Sequence, residues 1–176
     1  MKDEDKTKKQ FLSKFVGIHK ADNSDVIKHT LISLINVAST KTSEDYAWSS
    51  IKNLLRELEE NYDFLKYVRM KNLKNLDNFI DGMAVMSDMD NVEPREVGMA
   101  IQSLVDLFKR HLGKRAGYFF IREFRDDLGD DYHLIIKNMG VDLRLAELQE
   151  ELGEWDSEEY KIKDDSDVNI AFVEKK

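Results

Sequence analysis

Cationic side chains crowd one stretch of this chain at spacings suited to holding an anion. Residues 109–125, KRHLGKRAGYFFIREFR, carry six Lys and Arg against Glu123 alone, a net of +5 in a protein of formal net charge −8. At ~100° per residue, Lys114, Arg115, Tyr118, Arg122 and Arg125 share an arc of about 100° on a helix. Guanidinium groups match planar carboxylates and phosphates through paired hydrogen bonds. Tyr118 among them can stack on a base or on a guanidinium. Phe120 and Phe124 lie on another face and are expected in the core. The stripe therefore points to an acidic protein or an anionic ligand as partner. The plainer reading is pairing within the chain or between subunits, because residues 147–159, ELQEELGEWDSEE, hold seven carboxylates and no base. Nucleic acid is disfavoured, since phosphate backbones call for a basic field and the whole chain is acidic.

Paired carboxylates are the second candidate chemistry. Glu57 with Glu60, and Glu93 with Glu96, have the ExxE spacing by which helical nucleotide hydrolases hold Mg²⁺ through hard oxygen ligands. On a solvated helix face the same residues are simply good helix formers. Asp88 and Asp90 open like a calcium loop, but Glu93 stands at the sixth position, where Gly is needed, and Met99 at the twelfth, where Glu closes the site. His19, His29, His111 and His133 form no HExxH, and Asp130-x-x-His133 is a single echo of a diiron pair. Surface or cap positions are the plain reading for all four. Met83, Met86, Met89 and Met99 could serve a greasy partner, although helical spacing makes core the plainer role. No Gly-rich phosphate loop and no nucleophile elbow occurs in the sequence. No metal or other cofactor is expected, and a non-enzymatic reading is favoured, because catalysis needs convergent titratable groups.

The elements that would carry these residues are helices. One Pro and eight Gly leave long uninterrupted stretches. Residues 24–40 are apolar almost all round, as in the middle of a bundle, with Asp22 or Ser24 as N-cap. Thr42 and Ser43 cap the next helix. Its stripe of Ala47, Trp48, Ile51, Leu54, Leu55, Leu58, Tyr62 and Leu65 predicts a spine over 43–70, about 40 Å long. A further helix is expected to about residue 87. Pro94 begins the following one in its first turn, and Gly113 closes it. The basic helix is expected over 114–128, ended by Gly129, with shorter helices at 131–139 and 142–153 parted by Gly140. Alternation of Tyr160, Ile162, Val168, Ile170 and Phe172 predicts a small hairpin or strand.

The resulting expectation is an all-α, multi-helix bundle of six to eight helices with a small C-terminal β-hairpin or strand. Residues 1–9 read as a disordered tail, 10–155 as the helical domain and 156–176 as the β appendage. The chain has no Cys, which excludes disulfides and thiolate chemistry and suits a reducing cytoplasm. Nothing in it approaches the ~20 apolar residues of a membrane span, and the first residues lack the apolar core of a signal peptide. The functional expectation is a cytoplasmic interaction or regulatory protein. It forms a homodimer through surplus apolar surface and docks an acidic or anionic partner on the basic helix. The alternatives are a Mg²⁺-dependent nucleotide hydrolase using Glu57, Glu60, Glu93 and Glu96, and a nucleic-acid-associated accessory factor.

Overall fold

Apolar residues dominate the first helix, and it sits where they require. In the computed structural model, which describes residues 21–72, 78–117 and 119–148, helix α1 (Asn23–Lys41) buries ten residues, among them Val26, Leu31, Leu34, Ile35 and Ala38. Helices α2 (Glu44–Glu59), α3 (Pro94–Gly117) and α4 (Phe120–Asn138) all pack against α1. The described residues are mostly helical, so the all-α class stands. They hold five α-helices, the fifth being residues 143–148, rather than six to eight. The chain divides into two compact units between Leu143 and Arg144. Residues 144–148 are the described part of the second unit.

The cap residues act as their chemistry dictates. Asp22 is the N-cap of α1, in extended conformation but without a side-chain cap bond. The orphan amide of Ser24 in the first turn is instead met by the Asp90 carboxylate at 2.8 Å. Asn23, buried beside it, donates from Nδ2 to the carbonyls of Val92 at 2.7 Å and Met89 at 3.3 Å. The segment around Asp88 and Asp90 is thus a 3-10 turn, Ser87–Asn91, docked on the start of α1. Ser43 caps α2, accepting from the Tyr46 amide at 3.2 Å. Thr42 belongs to the end of α1, where its hydroxyl donates to Ala38 at 2.8 Å.

The spine expected over 43–70 is shorter than its periodicity suggested. Helix α2 ends at Glu59 after sixteen residues, about 24 Å at 1.5 Å per residue. The sequence there is Glu60-Asn61-Tyr62-Asp63, and Asn and Asp side chains compete with helical backbone bonds. Tyr62 leaves the helix at φ −131°, ψ 79°, and its hydroxyl lies 3.1 Å from Ser103 Oγ on α3. A 3-10 turn follows at Asp63–Tyr67, then strand β1 (Val68–Met70).

The helix expected over the next segment is also replaced. Asn78 opens a 3-10 turn, Phe79–Gly82, by accepting from the Ile80 amide at 3.0 Å, and strand β2 (Met83–Val85) follows. The strands pair antiparallel, Val68 with Val85 and Met70 with Met83. Backbone bonds from Lys71 to Gly82 and from Met86 to Tyr67 extend the ladder at both ends. A lone two-stranded ribbon is marginal in water, so its anchors matter. The Trp48 indole N–H donates to the Lys71 carbonyl at 3.0 Å, and its ring meets Phe79 edge-on at 6.0 Å. The described sheet therefore lies between α2 and α3 in sequence and is not C-terminal. The hairpin expected over 156–176 and the tail over 1–9 lie outside the described residues.

The glycine breaks fall where the sequence placed them. Gly113, Gly129 and Gly140 all have positive φ, 71°, 78° and 97°, which Gly reaches without a Cβ clash. Gly113 and Gly129 kink α3 and α4 internally. Gly98 serves differently. A Cβ there would sit 2.1 Å from the Met139 carbonyl oxygen, so α3 can pass the end of α4 only with hydrogen at this position. Phe108, Phe120 and Phe124 form the aromatic centre of the core, all fully buried. Phe120 meets Phe108 edge-on at 5.6 Å and stacks with Phe124 at 6.2 Å.

Candidate functional site

The basic segment does not form one helix. Gly117 ends α3, and Phe119 adopts a left-handed backbone, φ 57°, ψ 9°, before α4 begins at Phe120. The single 114–128 helix expected from the sequence is therefore interrupted at residues 117–119, and the shared arc does not carry across that break. Lys114 and Arg115 lie at the end of α3, Arg122 and Arg125 in the first turns of α4. The Lys114 and Arg115 side chains, and Tyr118 altogether, lie outside the described residues, as do residues 149–159 of the acidic segment.

What α4 does with its own cations is well defined. Phe120, Ile121, Phe124 and Leu128 lock one face into the core, with none more than 2% exposed. The other face presents Arg122, exposed, and Arg125, half-buried. Glu123, the lone carboxylate of the basic segment, is met by Lys41 of α1 at 3.0 Å. It is thus matched by a lysine from outside the segment. Arg125 lies 3.8 Å from Asp126, a long contact. Phe119 is 46% exposed, three residues before Arg122. Arg and aromatic residues are the types that most often anchor protein interfaces.

The paired glutamates part company. Glu93 and Glu96 line a cleft of about 320 Å³ together with Asp63 and Asp88. Glu57 and Glu60 are exposed on and just past α2 and are not part of that cleft. Among the described residues no three His, Asp or Glu side chains converge as a metal would require. Asp90 is engaged with the Ser24 amide, which gives it a structural role in place of a calcium-loop one.

Two of the histidines, His29 and His111, bridge helices, and His19 lies outside the described residues. His29 stacks on Tyr132 at 3.8 Å, and its Nε2 lies 3.2 Å from the Leu128 carbonyl. A carbonyl only accepts, so Nε2–H is the donor. That carbonyl stands at the kink of Gly129, where the helical ladder is interrupted. His111 stacks on Tyr46 at 6.0 Å. Of the methionines, Met83 and Met89 are buried, whereas Met86 and Met99 are exposed.

A second cationic concavity escapes sequence reading. Lys52 and Arg56 of α2 face Lys66 and Arg69 of the following turn and strand across a cleft of about 280 Å³. The i,i+4 spacing of Lys52 and Arg56 was available as a signal. The opposing pair was not, because the apolar spacing of α2 runs on through Tyr62 and Leu65 and hides the turn.

No protein-family model matches this chain, and no curated protein or solved structure is detectably similar to it.

Proposed function

We propose that this chain is a non-enzymatic interaction or regulatory protein that docks an acidic or anionic partner on the cationic face at the start of α4. The observation that supports this reading best is the rigid mounting of that face. Arg122 is exposed on a helix whose opposite side is wholly core, and the neighbouring carboxylate, Glu123, is already matched by Lys41. A helix locked into the core adds no backbone ordering cost on binding, and only the rotamer freedom of the exposed Arg122 side chain is given up. The exposed Phe119 beside it adds apolar area of the kind that strengthens such contacts. Lys114, Arg115, Tyr118 and Arg125 complete the proposed face.

A defined polyanion tests this. Poly-glutamate should bind the protein with an affinity that falls as salt rises. Substituting Arg122→Glu should weaken that binding by about tenfold. Equal binding by parent and variant would remove Arg122 from the account.

A homodimer belongs to the same reading, on altered grounds. The apolar circumference of α1 that suggested surplus surface is covered within the chain. Leu145 and Leu148, one helical turn apart and about half exposed, supply apolar surface for a second copy. Sedimentation should give a mass above 20.6 kDa at micromolar concentration, and a monomer throughout would exclude the dimer. The cytoplasmic setting rests on the Cys-free sequence. No helix of the described residues is long and apolar enough to cross a membrane.

A further inference from the structure

The cleft between α2 and β1 concentrates positive charge in an otherwise acidic chain. Four cations line it, Lys52, Arg56, Lys66 and Arg69, against one carboxylate, Glu59, a net of +3 in a protein of −8. They come from three elements: Lys52 and Arg56 from α2, Lys66 from the 3-10 turn and Arg69 from β1. The turn at Asn61-Tyr62 is what folds the second pair back against the first.

Two of the four are positioned by neighbours. Lys52 Nζ donates to Asn72 Oδ1 at 3.3 Å. Lys66 Nζ lies 3.3 Å from Asp63 and 5.4 Å from the centre of the Tyr67 ring. The two guanidinium groups are exposed, and neither has an ion-pair partner among the described residues. Leu55 and Leu65 are buried beneath them and form an apolar floor, which strengthens electrostatic contacts made above it. Four cations against Glu59 and the Asp63 partner of Lys66 leave an excess of positive charge, and an anion relieves the repulsion among them. The volume, about 280 Å³, lies just under the ~300–1,000 Å³ of sites for drug-sized ligands. It suits a small anion better than a chain.

From this we propose that the cleft is a binding site for a small phosphate-bearing molecule, held by the paired forks of Arg56 and Arg69 with Lys52 and Lys66 as supporting charges. Forked guanidinium groups match the tetrahedral oxygens of a phosphate. This site is separate from the cationic face of α4 and does not depend on it.

The test is titration of the full chain with inorganic phosphate and with pyrophosphate at constant ionic strength, read by calorimetry and by amide shifts. The expected result is saturable binding with shifts centred on Lys52–Arg56 and Lys66–Met70. The double variant Arg56→Gln/Arg69→Gln should bind at least about tenfold more weakly, with an unchanged urea midpoint, since both side chains are exposed. Glu59→Gln removes the one repelling carboxylate and should bind more tightly. Arg122→Glu should leave binding here unaltered, which separates this site from the α4 face. Absence of saturable binding up to about 10 mM of either probe would overturn the proposal. Binding that survives in the Arg56→Gln/Arg69→Gln protein would overturn it equally.

Discussion

Thr30 is 1% exposed on α1, and its hydroxyl has no hydrogen-bond partner among the described residues. A buried polar atom left unpaired costs about 1–3 kcal/mol. Thr30→Val keeps the β-branched shape and removes the hydroxyl. It should stabilise the protein by about 1 kcal/mol in a urea melt, and a loss of stability would mean that the hydroxyl has a partner. Gly98 gives the opposite expectation. A Cβ at 2.1 Å from the Met139 carbonyl oxygen meets backbone, which cannot swing aside as a side chain does. Gly98→Ala should destabilise by about 2–4 kcal/mol despite the better helix propensity of Ala. A neutral result would show that α3 and α4 separate freely at that crossing. Neither residue announces itself in the sequence. A Thr on a greasy helix and a Gly inside a helical stretch acquire meaning only from the element packed against them.

At the scale of elements, the legible features were those with local chemistry. Pro94 opens α3, and Gly113, Gly129 and Gly140 mark breaks at positive φ, because backbone geometry at those residues needs no distant partner. The central place of α1, ten of whose nineteen residues are buried, was likewise legible from its composition. The segment 60–87 was not. Tyr62 and Leu65 continue the apolar spacing of α2, so periodicity runs straight through a turn that the chain in fact makes. Asp81-Gly82 is the local turn signal in this segment, and it lies in the 3-10 turn Phe79–Gly82. The break at Phe119 could not be anticipated from its own residue type, as a left-handed Phe is uncommon.

The ribbon that replaces those expected helices depends on Trp48. Trp48→Phe keeps most of the apolar ring but deletes the donor to Lys71. Amide exchange at Lys71 and Met86, which donate across the ribbon to Gly82 and Tyr67, should accelerate by about tenfold while amides of α1 remain protected. Uniform acceleration would instead mean that the ribbon opens only with the whole unit.

For the whole molecule, the candidate site was legible as charge and not as shape. The +5 segment and the −8 total are plain in the sequence, but the partition of that segment over two helices is a property of the fold. The cleft of Lys52, Arg56, Lys66 and Arg69 needs the turn after α2 before it exists at all. The four glutamates looked equivalent in sequence and are separated in space, because Glu93 and Glu96 line a cleft that Glu57 and Glu60 do not reach. The proposed role is recognition by positioned cations on an acidic body.

Reversal of the exposed Arg122 to Glu tests the proposed docking most directly, with urea melts at low and high salt and poly-glutamate binding measured on the same protein. A docking face predicts stability within about 1 kcal/mol of the parent at both salt concentrations together with loss of binding. Stability lowered by about 1–3 kcal/mol at low salt and restored at high salt, with binding intact, would contradict it. That result would make the cations an internal counter-charge to the carboxylates of the same chain.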